Sequence, residues 1–259
     1  MDMNLKGKTV VITGAGTGIG KAAALEFLKE GCNVAICGRR LEKLEQTKKE
    51  YAELGYDLMI KSVDVTDYNA LEAYADEVMA AYGRIDVWVN NAGSNHIKSL
   101  LDYDVEEFRA MTDIILVSVF SGSKIAAERM RRDGKGGVIL NASSFSAVIP
   151  NAGRAPYSAC KAGVSSLTRT FAAELAKDNI RVIAYVPGMT ATEISAKNIE
   201  KNGPALMKDI PMQRFGKPED CAQLMVFLAS DHASYINGTQ IEVAGAKLCV
   251  QNPLYSYQN

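Results

Sequence analysis

Tyr157 and Lys161 stand four positions apart in the stretch APYSACKAG (155–163), with small residues between them. Side chains at i and i+4 of a helix share a face, so the phenol and the ammonium point the same way. An isolated phenol has a pKa of about 10 and is a poor base at neutral pH. An ammonium held about 4 Å away favours the phenolate by roughly 4 kcal/mol at an effective dielectric of about 20. That attraction lowers the phenol pKa by up to about 3 before desolvation takes its share. A tyrosine tuned in this way exchanges a proton with a carbonyl or alcohol oxygen. The pair alone is no different from many amphipathic surface pairs, and its companions decide the matter.

Thirteen residues before Tyr157, the segment NASS (141–144) ends in Ser144, at the close of an expected strand. Ligands of doubly wound sheets lie beyond the carboxyl ends of strands. A serine there donates to a substrate oxygen and stabilises developing alkoxide charge.

A second such end carries TGAGTGIG (13–20), which follows an apolar strand and opens a helix near Gly18. Glycine accepts positive φ and lets backbone amides approach a ligand with no Cβ in the way. The helix start offers unpaired N–H groups and a positive dipole end, which suit a pyrophosphate. Gly14, Gly16, Thr17, Gly18, Ile19 and Gly20 are therefore expected to bind a dinucleotide. The next strand ends in CGRR (37–40), with no acid for a ribose 2′-hydroxyl. The Arg39 and Arg40 guanidinium groups suit a 2′-phosphate instead, so NADP(H) is expected over NAD(H).

These groups must be held by a scaffold. In a chain of 259 residues, seven β-branched runs alternate with helical patterns, at 9–13, 33–37, 57–63, 86–90, 136–143, 180–186 and 239–245. Several are continuously apolar, as strands buried on both faces of a parallel sheet are. Strand–helix alternation predicts an α/β fold with a doubly wound parallel sheet of about seven strands and helices on both faces. One domain spanning 1–259 is the simplest organisation. A stretch without strand character at 188–218 reads as a lid.

Composition excludes several roles. Apolar residues make up 47% and charged residues 23%, with a formal net charge of −1. No global field attracts nucleic acid or an anionic membrane. The start MDMNLKGK lacks a signal-peptide core, and the apolar run IILVSVF falls short of the ~20 residues of a membrane span. Five scattered cysteines and two histidines, His96 and His232, read as free thiols without a metal site, in a cytoplasmic protein.

Taken together, the motifs resemble those of the short-chain dehydrogenase/reductase family over nearly the whole chain. TGAGTGIG is similar to its cofactor turn, and Asp64-Val65 to its adenine-binding element. Asn90-Asn91-Ala92-Gly93 is similar to the motif after its fourth strand, and PGMTAT (187–192) to its P-G-x-x-x-T segment. The resemblance implies a Rossmann-type sheet and hydride transfer between a nicotinamide and a ketone or secondary alcohol. It assigns Tyr157 as general acid and base, Lys161 to the nicotinamide ribose, and Ser144 to the substrate oxygen. Asp64 and Val65 would meet the adenine, and Asn90, Asn91, Ala92 and Gly93 would line the cofactor cleft. Pro187, Gly188, Thr190 and Thr192 would lie near the carboxamide and pyrophosphate. It also implies a homo-oligomer, a tetramer or dimer built on helix pairs.

Three positions depart from the family pattern. After Glu106-Glu107-Phe108, the place of a family asparagine that holds a relay water is taken by Ile115, with Ser118 a turn further on as a substitute. Cys160 replaces a serine and is expected to face the core. The tail from about 247 extends beyond the usual end, either to cap a neighbouring subunit's pocket or as a frayed end.

A small-molecule substrate is expected to meet His96, Ser146, Asn151 and Met189, while Arg154 reads either as a solvated loop residue, the simpler reading, or as a group that meets a carboxylate. Apolar lid residues favour a hydrophobic or ring-bearing compound such as a hydroxysteroid, though a sugar derivative stays open. The alternative enzyme is a 3-oxoacyl-carrier-protein reductase docking an acidic carrier on Arg129, Arg131, Arg132 or Arg169. An alternative of another class is a dinucleotide-sensing protein without turnover.

Overall fold

Strands that are apolar on both faces need cover on both sides, and here the buried central strands pair with half-buried edge strands into one seven-stranded sheet. The computed structural model describes residues 2–247, 249–250, 253–254 and 257. The strands are β1 (Thr9–Thr13), β2 (Asn33–Gly38), β3 (Met59–Ser62), β4 (Val87–Asn90), β5 (Gly137–Ala142), β6 (Ile180–Pro187) and β7 (Gln240–Val243). All are parallel, in the order β3-β2-β1-β4-β5-β6-β7. The winding reverses between β1 and β4, which opens a crevice at their carboxyl ends.

The α-helices among the described residues are α1 (Gly18–Lys29), α2 (Leu41–Glu53), α3 (Tyr68–Tyr82), α4 (Val105–Thr112), α5 (Ser118–Met130), α6 (Ala155–Leu175), α7 (Ala196–Met207) and α8 (Pro218–Ala229). Alternate side chains of each strand serve different cores. Val10 and Ile12 join Phe27 of α1, Leu44 of α2 and Met225 of α8 on one face. Val11 and Trp88 join Tyr74 of α3 and Ile125 of α5 on the other. These two layers account for the helices on both faces that the sequence pattern implied.

α4 and α5 are joined by a π-helical turn, Asp113–Val117. α4 starts in a capping box, in which Glu107 accepts from the Asp104 N–H and also meets the Lys98 ammonium at 2.5 Å. The continuous stretch Val105–Met130 is long and apolar enough to cross a membrane, yet 56% of its apolar window is buried inside the fold. Ile125, Ala126 and Met130 pack under the sheet, as in a core helix.

Between β6 and α8 the chain runs out over the carboxyl edge of the sheet, and no residue of α7 is fully buried. The described part of the tail lies against the end of this same excursion. The Met212 N–H donates to the Gly245 carbonyl at 3.3 Å, Lys247 pairs with Asp209 at 3.2 Å, and the Tyr257 hydroxyl donates to the Pro211 carbonyl at 2.8 Å. Residues 248, 251–252, 255–256 and 258–259 of the tail lie outside the described residues.

Candidate active site

β1 ends at Thr13 and the chain turns at once through Gly14 into α1. Gly14 has a φ of +64°, and a Cβ there would stand 2.7 Å from the Ala92 Cα, so no side chain fits. Thr17 caps α1 in an extended conformation without a side-chain hydrogen bond, and the first turn holds no acid. Its free N–H groups and positive dipole end face the cleft, which fits the turn to a pyrophosphate. Gly16, Thr17, Gly18 and Ile19 line that cleft. Gly20 does not; a Cβ there would meet the Gly14 carbonyl oxygen at 2.8 Å, so its absence lets α1 close on the turn.

The motif after β4 divides its labour. The Asn91 amide donates to the carbonyls of Thr13 and Gly14 at 3.1 and 3.0 Å, and its oxygen accepts from the Tyr185 hydroxyl at 2.9 Å. It thereby ties β4 and β6 to the turn, and with Ala92 and Gly93 it borders the cleft. Asn90, expected at the cofactor, points away from the cleft and is 3% exposed. Its amide donates to Ser123 and Asn141 at 3.0 and 2.8 Å and its oxygen accepts from the Trp88 indole at 2.8 Å. The strand alternation that aims Asn91 at the turn aims Asn90 at α5.

The far end of the cleft is lined by Val63, Asp64 and Val65 beside Arg39 and Arg40. The Asp64 carboxylate accepts from the N–H and hydroxyl of Thr66. Lys43, in the first turn of α2, adds a third cation that the sequence reading did not single out. Arg40 is engaged by Glu193, which comes from the excursion after β6. No local pattern announces a partner 153 residues away.

At the other end, β5 gives way to Ser143 and Ser144. The Ser144 backbone is extended and its hydroxyl oxygen accepts from the Ser146 N–H at 3.1 Å. α6 begins with Pro156 in its first turn, preceded by Arg154. Tyr157 and Lys161 therefore occupy its first two turns on one face, toward Ser144, and all three line the cleft. Lys161 is 4% exposed, its ammonium donates to the Ala142 carbonyl at 2.6 Å, and it lies 5.7 Å from the Tyr157 ring centroid. Burial lowers its pKa to about 8.

The expected depression of the phenol is not what this geometry produces. Burial pushes the Tyr157 pKa above its ordinary value, and the Ser144 hydrogen bond and the Arg154 charge pull it back only in part. The physical reason is the aim of Lys161, whose ammonium is directed to the Ala142 carbonyl. Arg154 thus has an electrostatic role at the tyrosine that neither sequence reading of it included.

Ile115 lies within the π-helical turn and is fully buried with Met111, Val119, Cys160 and Val164. Its neighbour Ile114 lines the cleft instead. The Ser118 hydroxyl donates to the Ile114 carbonyl at 2.6 Å, which ties it into the turn rather than to Lys161. Cys160 is buried as expected, and desolvation raises its thiol pKa.

Pro187, Gly188, Met189, Thr190 and Thr192 line the cleft beneath the excursion, joined by Ile194 and Ser195. Three residues expected around a substrate lie elsewhere. His96 is exposed and its carbonyl accepts from the Tyr103 hydroxyl. The Asn151 amide donates to the buried Ser146 hydroxyl at 3.0 Å, so each satisfies the other behind the cleft wall. Asn95 lines the cleft with a buried side-chain oxygen that has no partner among the described residues. The sequence offered no signal for Asn95, a loop position whose direction is set by packing.

A parallel sheet, a pyrophosphate cradle at its switch point, and a serine–tyrosine–lysine set at the opposite end of one cleft define a dinucleotide-dependent oxidoreductase. Residues 14–245 match the family model described as Enoyl-(Acyl carrier protein) reductase. The chain is 39% identical to a 3alpha-hydroxysteroid dehydrogenase of Mediterraneibacter gnavus, over 95% of this chain and 99% of that one. It is also 39% identical to the 3-oxoacyl-[acyl-carrier-protein] reductase FabG of Thermotoga maritima, over 94% and 98%. A solved short-chain type dehydrogenase/reductase from Mycobacterium marinum superposes with a TM-score of 0.92 at 33% identity, covering 96% of this chain and 98% of that one. The chain belongs to the short-chain dehydrogenase/reductase family. It is an NAD(P)-dependent enzyme that moves hydride between a nicotinamide and a ketone or secondary alcohol.

Proposed function

We propose that the enzyme acts on a ketone or secondary alcohol carried by an apolar, ring-bearing skeleton of the hydroxysteroid kind, and that it prefers NADP(H) to NAD(H). The observation that carries this reading is the setting of Ser144, Tyr157 and Lys161 under apolar walls from Ile114, Met189 and Ile194. Exposed Ile97, Val148 and Ile149 on the neighbouring loops extend an apolar rim, and relatives named 3alpha- and 3beta-hydroxysteroid dehydrogenases agree with it.

When bound, the dinucleotide supplies hydride exchange at its nicotinamide ring. Ser144 holds the substrate oxygen by hydrogen bond. Tyr157 gives that oxygen a proton in reduction and removes it in oxidation, with Arg154 and Ser144 favouring the phenolate. Lys161 holds the nicotinamide ribose. Gly14, Gly16, Thr17, Gly18 and Ile19 hold the pyrophosphate, Asp64 and Val65 the adenine, Asn91, Ala92 and Gly93 the middle of the cleft, and Pro187, Gly188, Thr190 and Thr192 the carboxamide side. Arg39, Arg40 and Lys43 form the cationic corner for a 2′-phosphate.

A carrier-linked 3-oxoacyl substrate is the second reading, favoured by the similarity to the Thermotoga maritima reductase. Of its expected docking arginines, Arg129 is 4% exposed and held by Asp76 at 2.7 Å, so it docks nothing. Arg131 pairs with Asp178, and Arg132 and Arg169 are exposed.

Segment 188–218 acts as the lid in this reading, over one domain. The exposed apolar face of Val105, Phe108, Val117 and Phe120, on α4, the π-helical turn and α5, forms the contact of a homo-oligomer, a dimer or tetramer. Five free cysteines suit a cytoplasmic enzyme.

The test is nicotinamide absorbance against steroid ketones, sugars, small ketones and acyl thioesters, with NADPH and NADH side by side. Steroid turnover favouring NADPH supports the proposal. Faster turnover of carrier-linked substrates moves the assignment to the second reading. Tight cofactor binding without any turnover returns the sensing alternative.

A further inference from the structure

We infer that Glu193 is a specificity-determining residue for the cofactor: it holds the Arg40 guanidinium that the 2′-phosphate of NADP(H) would take, so the phosphorylated dinucleotide reaches Arg40 only by exchanging one anion for another. The inference rests on the reading above that the arginine corner receives a 2′-phosphate.

Arg40 directly precedes α2, and Glu193 lies on the excursion between β6 and α7. Their contact is bidentate: the Arg40 Nη1 and Nη2 groups donate to Glu193 Oε1 and Oε2 at 3.1 and 2.8 Å. A further bond runs from Nη2 to the Thr17 hydroxyl at 3.4 Å, at the mouth of the pyrophosphate turn. The face of the guanidinium that would fork onto a phosphate is therefore filled by a carboxylate of the same chain. Arg39 and Lys43, which line the same corner, make no ion pair among the described residues.

The Arg40 and Glu193 side chains are 51% and 49% exposed, so the pair is weak and screened by salt. It is an exchangeable partner rather than a fixed strut. A 2′-phosphate meets Arg39 and Lys43 directly and competes for Arg40. An unphosphorylated ribose carries no charge there, so the pair persists when NAD(H) binds. Glu193 thus narrows the difference in affinity between the two cofactors, most at low salt.

The test is fluorescence titration of NADPH and NADH, at low salt, into wild type, Glu193→Gln, Arg40→Gln and the double variant. Both positions are on the surface, and circular dichroism checks that each variant is folded. Glu193→Gln is expected to tighten NADPH about threefold, with NADH unchanged. Arg40→Gln is expected to weaken NADPH and to abolish the effect of Glu193→Gln. If Arg40→Gln weakens NADPH but Glu193→Gln changes nothing, competition is refuted and the cofactor reading stands. If Arg40→Gln leaves the NADPH-to-NADH ratio unaltered, the cofactor reading fails and the inference falls with it. An equal NADPH gain from Glu193→Gln in both backgrounds would show plain charge repulsion. A gain shared by NADH would show an effect of the excursion itself. Either result overturns the inference.

Discussion

The Lys161 ammonium is tied to the Ala142 carbonyl at 2.6 Å, at the point where β5 ends and the Ser144 turn begins. That buried bond, with Asn141–Thr168 and Ser143–Ser165 beside it, joins the catalytic end of the sheet to the face of α6. Removing the Tyr157 hydroxyl leaves that bond intact, whereas removing the amine does not. Tyr157→Phe is expected to lower turnover by about 10²–10⁴-fold with little change in NADPH affinity by fluorescence titration. Lys161→Met is expected to weaken both. Substantial activity in Tyr157→Phe would remove the tyrosine from the mechanism.

Burial holds the Lys161 pKa at about 8, against an ordinary value of 10.5. At pH below both values the amine is charged in the folded and unfolded chains alike, and the burial penalty is felt in full. Between them the folded chain loses its proton first, so the unfolded chain binds more protons and stability rises with pH. Urea unfolding of wild type relative to Lys161→Met should therefore move in favour of wild type from about pH 7.5 to about pH 10. A flat difference would mean that the amine titrates as in water.

Asn90 satisfies Trp88, Ser123 and Asn141 in a fully buried setting. Asn90→Ala strands those groups without water, at about 1–3 kcal/mol for a buried unsatisfied group. The expected result is a lower Tm with NADPH affinity retained in the folded protein. Loss of cofactor binding at unchanged Tm would instead restore the role in the cleft that the motif resemblance implies.

Ile115 is enclosed by Met111, Val119, Cys160 and Val164. Ile115→Asn buries an amide among apolar groups, which costs about 1–3 kcal/mol. The variant should unfold at lower temperature and show no gain in turnover. A faster enzyme with a shifted pH profile would show that the position reaches the proton path after all.

The sequence by itself determined whatever depends on local period and spacing. The seven strands, the glycine turn and the Tyr157–Lys161 face of α6 each follow from short-range geometry: alternation, positive φ at Gly14, and the i, i+4 repeat. What only the tertiary structure decided depends on where distant segments meet. Pleat direction turned Asn90 inward, and the π-helical turn put Ile114 rather than Ile115 on the cleft. The carboxyl end of β5 supplied a carbonyl that drew Lys161 away from the phenol. The excursion after β6 brought Glu193 back across the cleft to Arg40. Spacing along the chain sets which side chains share a face, but a charge pairs with whatever the fold sets within a few ångströms of it, and that neighbour is chosen by packing.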